Sequence, residues 1–258
     1  MAPGTRAYRN YLALRHQVFC EELKRVPRPG RFFSDVPLES DAYDVHSLHV
    51  LCRSLETGAA VGCSRLILPS AKGLSITARY PMTHQTDVPR NQIGEIGRLA
   101  IASELRRHRG ELSSAGLHQN PLPQPQPASK TNKQDGPIVA LGLYREIFKL
   151  AHKHGVTHCY AAMEPSLARL LTRIGFPFLV AGPLNTVVQP PRQPYYIGAH
   201  AIRSSLASRD SSLLQFMLAS SQDVSALAVG VFHTNWTARP TMQTGRPERS
   251  GQYPALSQ

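Results

Sequence analysis

Three arginines stand in company that does not suit a charge. Arg15 falls in AYRNYLALRHQVFCEEL (7–23), on the same helical face as Phe19 four residues on, and that face is otherwise apolar. Arg65 falls in VGCSRLILP, where alternation sets it beside Val61, Cys63 and Ile67. Glu95 and Arg98 flank Gly97 in GEIGRLAIAS (94–103). An unpaired buried charge is costly, so three inward arginines require counter-charges. The available anions are Glu95 and, in LESDAYDVHSLHV (38–50), Glu39, Asp41 and Asp44 inside six residues at the mouth of an apolar run. These groups can build a buried electrostatic cluster, and a carboxylate within one can move a proton.

The elements that must position them follow from periodicity. Residues 7–23 have the apolar spacing of an amphipathic helix, and PRPGRFF breaks it. The runs 45–53 and 60–69, joined by LETGA, predict a β-hairpin. Residues 70–92 read as a loop with one short element, and 94–103 as a further strand. PIVALGLYREIFKLAHKHG (137–155) predicts a long helix, with Pro137 at its start and Gly155 just past its end. VTHCYAAM predicts a strand and EPSLARLLTRIGF a helix, with Pro165 in its first turn and Gly175 as its stop. FPFLVAG and YYIGAHAI are late strand candidates, and 212–219 a small helix. The order predicts an α/β fold with a mixed central sheet. Residues 1–236 are expected to form a single domain. Residues 111–136, rich in Pro and Gln, read as a flexible insertion, and 237–258 as a disordered polar tail.

The chain has 258 residues, 29 Lys and Arg against 17 Asp and Glu, and a formal net charge of +12. That balance favours a polyanionic partner. A nucleic-acid-binding module is one reading of the charge. Aromatic content is only 7%, however, and no basic and aromatic stripe or helix-turn-helix pattern accompanies it, which speaks against nucleic acid as the partner. A second site for anions is LRRHRG (105–110), directly after a strand. Arg106, Arg107 and Arg109 there suit a phosphopantetheine or pyrophosphate group. No stretch reaches the ~20 apolar residues that span a bilayer. The N-terminus lacks a signal-peptide core, and the four cysteines form no CxxC pair, so a cytoplasmic protein with reduced thiols is expected. His46 and His49 fall on opposite strand faces, and His152 and His154 close a helix, so no metal site is predicted. Gly-rich phosphate loops are absent.

In order, RHQVFCEE (15–22), LESDAYD (38–44), VGCSRLI (61–67) and GEIGRLAI (94–101) resemble the GNAT N-acyltransferases of the acyl-homoserine-lactone (autoinducer) synthase branch. MEPSLARLLTRIGF (163–176) with Gly182-Pro183 looks closer still to the PEP-CTERM/exosortase system-associated acyltransferases, relatives of the N-acyl amino acid synthases. The resemblance covers residues 7–200. It departs in four places: KRVPRPG stands where a tryptophan is expected, Gly97 replaces a serine, Leu99 replaces a frequent phenylalanine, and the Pro/Gln-rich insertion separates LRRHRG from the helix that should receive the donor's phosphate.

The resemblance implies a three-layer αβα fold around a mixed, bulged sheet. It implies transfer of an acyl group from a thioester, acyl-acyl-carrier-protein or acyl-CoA, to a small amine such as an amino acid, with no permanent cofactor. An acidic acyl carrier protein is the implied partner, docking on Arg106, Arg107 and Arg109. Homoserine-lactone synthesis is the alternative acyl transfer, and a catalytically inactive regulatory shell the alternative of another class. Position by position, Arg15, Phe19, Asp41, Asp44, Arg65, Glu95 and Arg98 match the family's functional residues, with Glu39 joining them as a counter-charge. Glu95 becomes the general base. Backbone N–H groups near Gly97, Arg98 and Leu99 become the oxyanion site. A β-bulge at Gly97 is expected to bring Glu95 and Arg98 to one face.

Overall fold

A computed structural model describes residues 4–25, 32–33, 36–106 and 136–219. The expected insertion, apart from Gly136, and the expected tail lie outside these residues, as do Arg107 and Arg109.

Helix α1 (Arg6–His16) opens on Thr5, whose side chain accepts from the Tyr8 amide at 3.2 Å, a serviceable N-cap. The predicted helix 7–23 does not run on as one α-helix. From Gln17 to Glu22 it widens into a π-helical turn, which buries Val18, Phe19 and Cys20. A short pair, β1 (Phe32–Phe33) and β2 (Val36–Pro37), leads to a 3-10 turn at Asp44–His46. The predicted hairpin is β3 (Ser47–Arg53) and β4 (Ala60–Ile67), antiparallel. Next come α2 (Ser75–Arg79), β5 (Ile93–Ile101) and α3 (Gly136–Lys153). The remainder is β6 (His158–Met163), α4 (Pro165–Arg173), β7 (Leu179–Val180), β8 (Gln193–Gly198), α5 (Ala199–Arg209) and α6 (Ser211–Leu218).

Six strands form one mixed, open sheet in the order β3-β4-β5-β6-β8-β7. Only β5 and β6 run parallel, and their pairing covers just Ile93–Ile96 against His158–Ala161. Beyond those residues each strand continues without the other, so the sheet opens into a cleft after Ile96 and Ala161.

Helix α3 packs on one face of β3, β4 and β5, and α1 on the opposite face. Val139, Leu143, Ile147 and Leu150 of α3 bury against Val50, Leu66 and Ile101. On the other side Tyr11, Leu12 and Val18 bury against Leu51, Cys63 and Ala100. Gly62 permits the close approach of α3, because a Cβ there would lie 2.5 Å from Val139 Cγ1. All four cysteines are buried and unpaired.

Two late expectations are corrected. YYIGAHAI is a strand only to Gly198, after which AHAI starts α5. Gly198 lies against the His158 ring, where a Cβ would come within 2.7 Å, and the chain turns there into a helix. FPFLVAG pairs only through Leu179 and Val180. A short apolar run does not by itself separate strand from buried helix.

Candidate active site

The three arginines and three carboxylates meet on the α1 side of the sheet and close into a ring of alternating charge. Arg15, in the last turn of α1, holds Glu39 through Nε, and its Nη1 donates to Asp44 Oδ1 at 2.7 Å. Arg65, on β4, donates from Nη1 to Asp44 Oδ1 and Asp41 Oδ1, and from Nη2 to Asp41 Oδ2, each at 2.7 Å. Arg98, on β5, donates from Nη2 to Asp41 Oδ2 at 3.0 Å and to Glu39 Oε1 at 2.9 Å. Each carboxylate therefore bridges two arginines, and each arginine two carboxylates. Arg15 is 0% and Arg65 1% exposed, and Glu39 is 1% exposed. Such charges are tolerated in the interior only when every member is partnered.

The acidic loop is shaped to present its side chains. Asp41 Oδ1 accepts from the Tyr43 amide at 2.9 Å, and Asp44 Oδ2 from the Asp41 amide at 2.8 Å. The Glu39 amide donates to the Leu12 carbonyl of α1, which ties loop to helix. Burial alone would raise the pKa of each carboxyl group. Around Glu39 the Arg15 and Arg98 charges outweigh it, around Asp44 the Arg15 and Arg65 charges, and around Asp41 the hydrogen bonds and charge of Arg65. All three are held below the usual carboxylate range.

Arg98 reaches this ring through a bulge. Cys63 pairs with Ala100 and Arg65 with Gly97, so Ser64 alone faces both Arg98 and Leu99. The expected bulge is present, but it lies at Arg98 and Leu99 rather than at Gly97. Arg98 itself takes φ +52°, a left-handed conformation that costs a non-glycine residue about 1–3 kcal/mol. Its two carboxylate partners and the Phe19 ring, 5.7 Å from its guanidinium carbon, hold it there. The phase slip turns Arg98 toward the Glu95 and Gly97 side and leaves Leu99 packed against the α3-side core.

Glu95 is 8% exposed. Its Oε2 accepts from the Ile76 amide at the start of α2, at 2.8 Å. Burial pushes its pKa up, against the opposing pull of the Ile76 amide and of Arg65, Arg79 and Arg98. Space opens beside its other oxygen. A Cβ placed on Gly97 would meet only Glu95 Oε1 and Arg65 Nε, each at 3.9 Å. Arg65 Nε has no hydrogen-bond partner there. Gly97 also directly follows the last residue of β5 that pairs with β6. A carboxyl group of raised pKa thus faces a polar gap at the mouth of the cleft, a fitting place for proton transfer.

On the α3 side, an apolar cavity of about 50 Å³ is lined by Ile96, Tyr144, Phe148, Leu171, Phe178 and Met217, among others. Ile96 connects it to the cleft, one residue before Gly97.

Among the expected carrier-docking residues, Arg106 pairs with Glu22 of the π-helical turn. Sequence reasoning missed three features of the site. The Ile76 amide that fixes Glu95 has no side-chain signal. His49 is buried between the Tyr8 and Tyr11 rings with its pKa pushed down to about 3 by burial. Arg25 pairs with Glu164 at 3.0 Å, joining segments 139 residues apart, near Arg192.

The acetyltransferase (GNAT) domain family matches residues 14–114, from the last turn of α1 past the end of β5. The mixed sheet parting between its parallel strands completes the picture. The fold is that of the acetyltransferase (GNAT) domain. TofI, solved in a ternary complex with an inhibitor and MTA, is similar with a TM-score of 0.53 and 20% identity, over 78% of this chain and 88% of that one. BjaI, a CoA-dependent acyl-homoserine lactone synthase solved with SAM and isopentyl-CoA, is similar with a TM-score of 0.50 and 17% identity, over 78% and 81%. No curated protein matches the sequence. The bulge and the Glu95 gap stand where this sheet opens its cleft, after Ile96.

Proposed function

We propose that this protein transfers an acyl group from a thioester, acyl-acyl-carrier-protein or acyl-CoA, to the nitrogen of a small amine such as an amino acid. The observation that carries the reading is Glu95: a buried carboxyl group of raised pKa, fixed through one oxygen, with the other facing the gap at Gly97 in a GNAT cleft. Glu95 accepts a proton from the amine, directly or through a water in that gap. The amine nitrogen attacks the thioester carbonyl, the C–N bond forms, and the C–S bond breaks to release the carrier thiolate, which takes up a proton from solvent while Glu95 returns its own. Arg98 and Leu99 have no partners of their own in the β4–β5 ladder, and backbone N–H groups here would receive the oxyanion. The apolar cavity behind Ile96 is where the acyl chain would begin. The charged ring fixes both sides of the gap without touching the reacting atoms.

The exosortase-associated type is supported by residues 163–176 and Gly182-Pro183, and an acyl carrier protein as donor by the basic residues Arg106, Arg107 and Arg109. Mass spectrometry of lipid extracts tests the whole reading. Cells expressing the protein should contain an N-acyl amine that cells expressing Glu95→Gln lack. Identical extracts would overturn it.

A further inference from the structure

Far from the charged ring, the sheet ends in an apolar edge that nothing among the described residues covers. β7 is the outermost strand, and its Leu179 and Val180 pair with Tyr196 and Tyr195 of β8. Successive strand residues point to opposite faces, yet both side chains are 56% exposed, so the sheet reaches past its helices on both sides. Edge strands are usually blunted by a charge or covered by a helix or loop, and among the described residues β7 has neither.

After β7 the chain projects as a hairpin tip. Asn185 and Arg192 exchange backbone hydrogen bonds at 2.8 and 3.0 Å, and the Asn185 side chain accepts from the Val187 amide at 3.0 Å. These bonds hold the tip in shape while Leu184, Val187 and Val188 stay exposed, Val187 at 91%. Five of the nine large apolar side chains exposed among the described residues fall within 179–188. Such a concentration marks an interaction surface.

Charge selects the occupant. From Pro165 to Arg209 the chain has five arginines and neither aspartate nor glutamate. Arg169 and Arg173 are exposed on α4, whose other side buries Leu167 and Leu171 in the cluster that holds Ile197 of β8, the strand beside β7. The apolar edge is therefore flanked by guanidinium groups with no acid in the same stretch of chain. Aliphatic side chains and arginines without carboxylates complement a layer with an apolar interior and an anionic rim. Nucleic acid would match the arginines and leave the aliphatic side chains against phosphate and water. A folded acidic protein would have to offer the projecting tip a concave apolar surface, whereas lipid chains part around it.

We propose that the β7 edge and the 184–188 tip dock this protein onto an anionic lipid surface. Leu184, Val187 and Val188 enter the boundary of the acyl chains, and Arg169 and Arg173 meet lipid phosphates. This goes beyond the acyl-transfer reading and does not depend on it.

The test is flotation of the full chain with vesicles of phosphatidylcholine alone and of phosphatidylcholine mixed with phosphatidylglycerol. The wild type should partition onto the anionic vesicles ~10-fold better than onto the neutral ones, and the difference should shrink as salt rises. Leu184→Ser, Val187→Ser and Val188→Ser together should remove most of the binding at an unchanged melting temperature, because all three side chains are exposed. Arg169→Gln with Arg173→Gln should weaken binding to the anionic vesicles and leave the neutral ones unaffected. A wild type that floats with neither vesicle overturns the inference. Binding that the serine variant retains in full overturns it as well, and a salt-sensitive gel shift of a DNA duplex, equal in that variant and the wild type, would then assign the arginines to nucleic acid. Self-association without lipid in sedimentation velocity, abolished in the serine variant and unaccompanied by vesicle binding, overturns it in favour of a second copy of the chain on this edge.

Discussion

Glu39, Asp41 and Asp44 each lie between two guanidinium groups, whereas Glu95, on the same face of the sheet, has one backbone amide and open space. The ring carboxylates are held below the usual range by their arginines, and Glu95 is raised above it by burial. The two regions share Arg65 and Arg98 and yet set their acids to opposite tasks. Groups that must never change charge are tied at both ends. The group that must gain and lose a proton is fixed at one oxygen only.

The largest effect should come from opening the ring. Asp44→Ala leaves Arg15 and Arg65 facing one another in the interior, and denaturant unfolding should show a loss of about 3–5 kcal/mol. A variant as stable as the wild type would mean the ring is not a closed unit.

Acid should separate the two regions in order. The ring acids have depressed folded pKa values, so their stabilisation is fully present above the unfolded values, about 4, and is lost as pH falls below them. Glu95 has a raised folded pKa. Its protonation, at a pH above the usual carboxylate range, stops proton acceptance and slightly favours the folded state. On acidification from neutrality, turnover should therefore fall while the melting temperature holds or rises, and unfolding should follow only below about pH 4. Melting scans and initial rates across one pH series would show it. Coincident losses would blur the distinction between the regions.

A smaller effect is expected outside both. Changing Arg106, Arg107 and Arg109 together to Ala should raise KM for an acyl carrier protein several-fold and flatten its dependence on salt. Steady-state kinetics at low and moderate salt would decide it. The smallest concerns Gly97, which has ordinary φ and room for a side chain. Gly97→Ser should leave stability within about 0.5 kcal/mol, as for a change that neither clashes nor strains. It should lower turnover, because the hydroxyl would enter the gap between Glu95 and Arg65.

The ring was legible in the sequence because buried arginines demand counter-charges and the loop 38–44 gathers three carboxylates within six residues. The hairpin and the long helix were legible because alternation and helical spacing ran unbroken there. The bulge was expected one residue early, since nothing local marks Arg98 as the residue that takes the left-handed conformation. Helix α5 was hidden because AHAI continues an apolar strand without a break in composition.

The central claim is that Glu95 moves the proton while the ring only holds the site. The most direct measurement is turnover of Glu95→Gln with an acyl-carrier-protein or acyl-CoA donor, taken beside its melting temperature. The account predicts a loss of about 10²–10⁴-fold in kcat with the melting temperature unchanged or raised. Turnover equal to the wild type in a folded Glu95→Gln protein would contradict it.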